Sequence, residues 1–152
     1  MRRFGDPIDP ARSYRTRPGA YGIIRDGDDI LVTEQVAPLL EFQLPGGGID
    51  PGEGPLQALH RECREETGWG IQPLRRLGAY QRYTYMPDYD IWARKVCLIY
   101  LCRPTLRRGP PSEPGHSAIW MPIPTTSSAA RTATRGDSGG AGAVGGAGTT
   151  IT

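Results

Sequence analysis

A glycine-rich turn followed at once by an acidic helix occupies residues 47–69, which read GGIDPGEGPLQALHRECREETGW. Four carboxylates, Glu53, Glu62, Glu65 and Glu66, fall on or just before this predicted helix. Like charges three and four residues apart on a helix repel one another, so folding alone does not favour the arrangement. Carboxylates beside a loop with accessible backbone carbonyls are the ligands that a hard divalent cation requires. The segment therefore predicts a strand–loop–helix unit that binds a divalent metal.

The patterning around this segment predicts an α/β fold. A helix is expected over Pro55–Thr67, because proline suits a first turn and Gly68 suits a C-terminal stop. Leu56, Leu59 and Cys63 are expected to form its buried stripe. Arg61 is expected to point away from the acidic face, toward the preceding loop. Strands are predicted at residues 20–25, 30–35, 41–44, 74–85, 91–102 and 118–121, with a loop over 104–115.

Composition divides the chain into three parts. Residues 1–17 are polar and arginine-rich, and predict an N-terminal arm or a leading edge segment. Residues 18–124 carry the predicted domain. Residues 125–152 are almost entirely Gly, Ala, Ser and Thr, which predicts a disordered low-complexity tail, since such a segment buries too little apolar surface to offset its ordering entropy. A truncated or out-of-frame C-terminus and a natural extension are both compatible with that tail.

Charge and cysteine content exclude several classes of protein. The formal net charge is only +2, so no broad electrostatic attraction to nucleic acid is expected. The three cysteines, Cys63, Cys97 and Cys102, have no metal-binding spacing and are expected to be reduced core residues. The N-terminus lacks the apolar stretch of a signal peptide, and the longest apolar run is too short to span a membrane. A cytoplasmic protein without a membrane partner is expected.

The segment resembles the Nudix box, the signature of the Nudix hydrolases. The seven positions that define the box are all filled, by Gly47, Glu53, Arg61, Glu62, Glu65, Glu66 and Gly68. Cys63 and Trp69 stand where the family usually has aliphatic residues, but both are apolar. The resemblance implies a Nudix α/β/α sandwich with a mixed β-sheet and the box on strand–loop–helix. The family's usual second helix, at the C-terminus, is expected to be missing, because no amphipathic period follows residue 124.

The same resemblance assigns roles to individual residues. It implies that the Gly46 carbonyl with Glu62, Glu65 and Glu66 holds Mg²⁺, for which Mn²⁺ can substitute. Glu62 is expected to be the general base or the residue that orients the attacking water. Arg61 and Glu53 look like the pair that fixes the loop against the helix. A solvated surface pair, and a plain charged helix face, are the structural alternatives.

Two residues outside the box are weaker candidates. Glu113 lies in the loop before Trp120, from which some Nudix enzymes draw a metal ligand or base, but an ordinary loop glutamate is at least as compatible. Tyr85 lies where diadenosine polyphosphate hydrolases have a tyrosine, and it clusters with Tyr80, Tyr83 and Tyr89, which are also ordinary strand formers. His116 is expected to be solvated or satisfied in the core.

The function implied by the resemblance is Mg²⁺-dependent hydrolysis of the diphosphate linkage of a nucleoside diphosphate derivative. Nucleoside triphosphates, dinucleoside polyphosphates and nucleotide sugars are the candidate substrates. The alternative from another class is a non-catalytic nucleotide-binding or sensor domain, which would usually have lost a box glutamate. Isopentenyl diphosphate isomerase shares the fold but needs a catalytic cysteine in a different context. The partner is expected to be a small-molecule nucleotide, and a homodimer is left open.

Overall fold

The computed structural model describes residues 1–36 and 40–124. Within these residues the chain forms one helix and an eight-stranded sheet. The helix, α1, spans Pro55–Thr67 and packs on strands at the centre of the sheet. The strands are β1 (Arg2–Gly5), β2 (Arg15–Asp26), β3 (Asp29–Gln35), β4 (Glu41–Gln43), β5 (Gly46–Gly48), β6 (Trp69–Met86), β7 (Ile91–Arg107) and β8 (His116–Pro122).

The sheet contains both parallel and antiparallel pairs, so it is mixed, as predicted. Its main path runs β1-β6-β7-β2-β3-β4, while β5 pairs with β2 and β8 pairs with β3. The β1–β6 and β2–β7 pairs are parallel, and the other pairs are antiparallel. A 3₁₀ turn at Pro87–Tyr89 connects β6 to β7 in one long hairpin. The predictions that a C-terminal helix is missing and that a disordered tail follows fall on residues 125–152, which lie outside the described part of the chain.

Element types were predicted well and their ends less well. The helix has the predicted bounds, but β2 begins at Arg15, inside the predicted N-terminal segment. Arg2–Gly5 forms a strand at the edge of the sheet, which agrees with the alternative of a leading edge segment. The predicted loop over residues 104–115 begins too early, because β7 continues to Arg107. The glycine-rich turn contains β5, which pairs with β2. In each case a neighbouring strand supplies hydrogen bonds that local sequence does not reveal.

The core lies between the inner face of α1 and the sheet. Its buried residues are Ala20, Ile24, Leu31, Leu59, Cys63, Ile71 and Cys102, and Trp69 packs edge-to-face on Trp120 beside them. Leu56 was expected in the buried stripe, but it is 45% exposed, because the first helical turn lies outside this cluster. The three cysteines are buried and free, as predicted. Across the residues described, no helix has the length and apolar character needed to cross a bilayer.

Candidate functional site

The glycine-rich loop is fixed against β2 by its own backbone. Gly46 has φ of 139°, and a Cβ at this position would lie 2.2 Å from the carbonyl oxygen of Ala20. Gly22 N–H donates to the Pro45 carbonyl (2.8 Å), and Ile49 N–H donates to the Pro18 carbonyl (3.0 Å). Only glycine combines this positive φ with so close an approach of two backbones. These contacts therefore fix the course of the backbone from the loop to α1.

Arg61 ties this loop to the helix. Its Nε and Nη2 donate to the two carboxylate oxygens of Glu53, each at 2.9 Å, and Nη2 also donates to the Gly48 carbonyl (3.0 Å). These bonds hold the pKa of Glu53 down at about 2. The predicted pairing of Arg61 with Glu53 is thus present in the structure. Its geometry is bidentate, which gives an arginine–carboxylate pair directional as well as electrostatic strength.

Arg61 also contacts the acidic face, contrary to the sequence-based expectation that it points away. Its Nη1 donates to Glu62 (2.8 Å) and to Glu65 (3.3 Å). The arginine side chain is long enough for one edge of its guanidinium to reach the loop while the other edge contacts the acidic face of the helix. One cation therefore orders three carboxylates of the box.

Glu62 lies directly over the loop. A Cβ added at Gly47 would lie 2.5 Å from Cδ of Glu62, so the absence of a side chain at position 47 makes room for this carboxylate. Burial raises the pKa of Glu62, and the hydrogen bond from Arg61 opposes that rise. A partly desolvated carboxylate with a raised pKa is suited to accept a proton near neutral pH.

Glu66 occupies a separate, more buried position. Its Oε2 accepts the Gly46 N–H at 3.0 Å, while Oε1 lies 4.0 Å from Nε2 of His116. Burial raises the pKa of Glu66 to about 8, and the Gly46 bond offsets part of that effect. Glu62, Glu65 and Glu66 were predicted to act together. In this structure the Glu62 and Glu65 carboxylates accept hydrogen bonds from Arg61. The Glu66 carboxylate instead accepts the Gly46 N–H and lies near His116 of β8.

The loop before β8 is brought to this position by the C-terminal end of α1. The Glu65 carbonyl accepts the N–H groups of Ser112 (2.8 Å) and Glu113 (3.0 Å). Gly68 closes the helix with φ of 75°, and its carbonyl accepts the Arg108 N–H at 2.8 Å. Free carbonyls at a helix end need such donors. By supplying them, the loop places Glu113 beside Glu66.

His116 completes a cluster with Glu66 and Glu113. The side chain of His116 is 10% exposed, and its Nδ1 lies 3.8 Å from Oε2 of Glu113. This nitrogen is buried and has no hydrogen-bond partner among the residues that the structure describes. The expectation that His116 is solvated or satisfied was therefore wrong. The only signal in the sequence is its position three residues after Glu113, which is too common a spacing to identify a site.

A cleft of about 300 Å³ adjoins the loop and Glu62. Arg17 and Lys95, which pair in register on β2 and β7, bring positive charge to it, and Tyr89 supplies an aromatic wall. Its remaining lining residues are Pro18, Gly19, Tyr21, Gln43, Gly46, Gly47, Gly48, Asp50, Glu62 and Met86. A larger groove of about 500 Å³ lies on another side of α1, lined by Arg61, Arg64 and Arg108 among others. The smaller cleft is the better candidate, because the loop glycines and the Glu62 carboxylate line it.

Tyr85 lies outside this cleft. Its ring is 39% exposed, and its hydroxyl donates to Asp90 Oδ1, which raises the pKa of the phenol. Tyr89, from the same sequence cluster, lines the cleft instead. The 3₁₀ turn at Pro87–Tyr89 makes the difference, because it redirects the chain after β6. Alternation along a strand could not have predicted which tyrosine lines the cleft.

The donor set at this site suits a divalent cation. Glu66, Glu113 and His116 each offer a ligand atom, and these atoms lie within 4.8 Å of one another. A buried carboxylate of raised pKa and an unpartnered imidazole nitrogen are both groups that a cation would satisfy. The residues present therefore fit a metal. On the same helix, Glu62 lies one turn before Glu66 and Glu65 lies directly before it.

Comparison with known proteins agrees with this geometry. A family model described as the NUDIX domain matches residues 15–137. RNA pyrophosphohydrolase of Helicobacter pylori (strain G27) is 42% identical over 72 residues, which cover 44% of this chain and 45% of that protein. The chain spans half or less of the length of the first curated relatives that it matches.

Two solved structures share the fold. A NUDIX hydrolase from Nitrosomonas europaea superposes with a TM-score of 0.58 at 22% identity, covering 78% of this chain and 79% of that one. A MutT NUDIX hydrolase from Burkholderia pseudomallei gives 0.53 at 25% identity, covering 82% and 99%. The likeness extends over both the sheet and the helix, as these coverages require.

Proposed function

The chain belongs to the Nudix family, and from that premise we propose that it is a Mg²⁺-dependent pyrophosphohydrolase acting on a nucleoside diphosphate derivative. One observation carries the proposal. The Glu62 carboxylate is held by Arg61 over Gly47, at the wall of a cleft that also presents Arg17 and Lys95. A proton acceptor and two cations around one cavity suit hydrolysis of a phosphate anhydride.

A divalent metal is part of this proposal. Glu62, Glu65 and Glu66 with the Gly46 carbonyl would hold Mg²⁺, or Mn²⁺ in its place. When bound, the ion neutralises phosphate charge and lowers the pKa of water. Mg²⁺ takes oxygen ligands, which these residues supply. The Arg61 contacts to Glu62 and Glu65 keep the two carboxylates ordered and limit their mutual repulsion.

Glu62 is the residue we propose as general base or as the group that orients the water. Its partial burial favours proton uptake, and its position over Gly47 directs it toward the cleft. Arg61 and Glu53 act by positioning, because their bidentate pair fixes the loop that forms the floor of the site. Accurate placement of reacting groups is a large part of the rate enhancement in such sites.

The substrate is proposed to be a small nucleotide with at least two linked phosphates. Arginine and lysine side chains match phosphate oxygens, and Tyr89 offers a face on which a base can stack. Nucleoside triphosphates, dinucleoside polyphosphates and nucleotide sugars all meet this description. The name of the Helicobacter pylori relative adds RNA to the substrates worth testing.

A substrate panel in ¹⁸O-labelled water tests the proposal. Purified protein is incubated with Mg²⁺ and each candidate nucleotide, and with 5′-triphosphorylated RNA, and the products are analysed by mass spectrometry. We expect hydrolysis of the anhydride with solvent oxygen in one phosphorylated product. Label only in a non-phosphorylated alcohol would indicate C–O cleavage and a different mechanism. Nucleotide binding without turnover on any substrate would favour the non-catalytic sensor domain.

A further inference from the structure

His116 gives the cluster with Glu66 and Glu113 a nitrogen donor from outside the box. Its side chain is nine-tenths buried, and within residues 1–36 and 40–124 its Nδ1 has no hydrogen-bond partner. Leaving a buried polar atom unpaired costs free energy. A buried atom without a partner in the protein therefore usually binds a water molecule or an ion. Each ring nitrogen lies nearest to one carboxylate, Nδ1 to Glu113 and Nε2 to Glu66.

The distances argue against simple hydrogen bonding within the cluster. The two nitrogen–oxygen separations are 3.8 and 4.0 Å, whereas an N–H···O bond spans about 2.7–3.2 Å. Ligand atoms around a four-coordinate ion with bonds of about 2.1 Å lie roughly 3.4 Å apart. The one ligand atom that each residue offers lies within 4.8 Å of the others, so side-chain shifts on the order of 1 Å would bring one imidazole nitrogen and both carboxylates onto one ion.

The cluster is also built on fixed elements. The Glu66 carboxylate accepts the Gly46 N–H. The backbone N–H of Glu113 donates to the Glu65 carbonyl, which fixes the position of Glu113. His116 is the first residue of β8, where it pairs with Gln35 of β3. Three separate segments of the fold converge on one small volume. Such preorganisation is what distinguishes a ligand site from a chance meeting of exposed acidic groups.

We propose that Glu66, Glu113 and His116 bind a first-row divalent ion that accepts nitrogen, such as Mn²⁺ or Zn²⁺, through one imidazole nitrogen and the two carboxylates. Mg²⁺ is a poor occupant of this site, because it favours all-oxygen coordination, while imidazole suits the later metals. The inference shares Glu66 with the proposed catalytic metal site and rests on the proposed function to that extent. It adds a metal preference set by a residue outside the box.

Metal binding without substrate tests the inference. Mn²⁺ is titrated into the protein and followed by pulsed electron paramagnetic resonance, which detects ¹⁴N in the first coordination shell, and by calorimetry. The variant is His116→Gln. The matched control is His60→Gln, because His60 is the other histidine of the chain and is exposed on α1. Calorimetric titration with Mg²⁺ is run in parallel on all three proteins.

We expect nitrogen coupling in the wild type and in His60→Gln, and its loss in His116→Gln. Mn²⁺ affinity should fall about tenfold or more in His116→Gln, the scale on which altered ligand shells change affinity, and Mg²⁺ affinity by less than about twofold. Mn²⁺ bound without nitrogen coupling, coupling that persists in His116→Gln, or no Mn²⁺ binding would each overturn the inference.

A second variant covers a folding failure of His116→Gln. Glu113 lies in a loop and is 44% exposed, so Glu113→Gln should fold, and its far-ultraviolet circular dichroism should match that of the wild type. We expect it to lower Mn²⁺ affinity while retaining the nitrogen coupling. Unchanged affinity in this variant would contradict the three-ligand site. Hydrolysis supported by Mg²⁺ alone is measured separately, so failure of the proposed function and failure of this inference give different results.

Discussion

Arg61 donates to both carboxylate oxygens of Glu53, from Nε and from Nη2, each at 2.9 Å. The same guanidinium reaches the Gly48 carbonyl and the Glu62 carboxylate. Loop and helix are therefore joined through a single side chain, whose geometry depends on a planar group with several donors. Lysine carries the same charge but cannot form this set of bonds.

Arg61→Lys should consequently lower kcat while leaving the protein folded. Displacement of the loop and of Glu62 is expected to reduce turnover on the order of 10²-fold, the scale of misplacement effects in active sites. Steady-state kinetics with the best substrate measures it. Arg25→Lys is the control, because Arg25 pairs at 3.8 Å with Asp28 and is 56% exposed. Equal kinetics for the two variants would remove Arg61 from its positioning role.

The Glu53 carboxylate should contribute to stability in an acid-sensitive way. Hydrogen bonds from Arg61 lower its pKa from the ordinary 4.5 to about 2. A lowered folded-state pKa stabilises the protein above the unfolded value, and that contribution is lost as pH falls through the folded value. The melting temperature of the wild type should thus exceed that of Glu53→Gln at neutral pH, and the difference should shrink between about pH 4.5 and 2. A difference that is independent of pH would contradict this origin.

Removal of one carboxylate charge that we propose faces the metal should abolish most of the activity. Glu65→Gln and Glu66→Gln keep the side-chain shape, and in the Glu66→Gln variant the new amide oxygen can still accept the Gly46 N–H. We expect each to cut kcat by on the order of 10²-fold or more, and chelator to stop the wild-type reaction. Asp28→Asn, at a side chain that is 91% exposed, serves as control. Near-normal turnover in both glutamine variants would exclude these residues as metal ligands.

The three glycines of β5 should respond differently to alanine. Gly46→Ala places Cβ 2.2 Å from the Ala20 carbonyl at a positive φ, so it should destabilise by about 3 kcal/mol or more, a fall of roughly 10 °C in Tm. The atoms nearest to a Cβ in Gly47→Ala belong to the Glu62 carboxylate, at 2.5–2.7 Å, so this variant should fold but lose activity. A Cβ in Gly48→Ala would have no atom of the described residues within 4 Å, so this variant should change neither Tm nor activity. Melting curves and kinetics on the three variants distinguish these outcomes.

A truncated chain tests the proposed domain boundaries. Every residue assigned to the site lies between Arg17 and His116, so we propose that the catalytic unit ends by residue 124. Deleting residues 125–152 should leave turnover unchanged. Because the family match continues to residue 137, a second truncation after that residue is the matched comparison. A large fall in Tm or in turnover for the shorter chain only would place an essential element within residues 125–137.

The box could be recognised from the sequence because its spacing is local. Positions three and four apart on a helix must share a face, so the placement of Glu62, Glu65 and Glu66 on one side of α1 follows from the chain alone. The helix bounds follow in the same way, from Pro55 at its start and Gly68 at its end. Most strands were also predicted, because apolar residues recur along them with the periods that buried strands require.

Long-range pairing decided the remaining features. The separation of Glu66 from Glu62 and Glu65 depends on the Gly46 N–H, which comes from the loop before α1, while Arg61 of the helix itself holds the other two carboxylates. His116 reaches Glu66 only because β8 pairs with β3 and the preceding loop caps α1. No local pattern encodes these contacts. The sequence by itself determined the chemical groups of the site and their order on the helix, while tertiary packing determined the groups outside the box that join them.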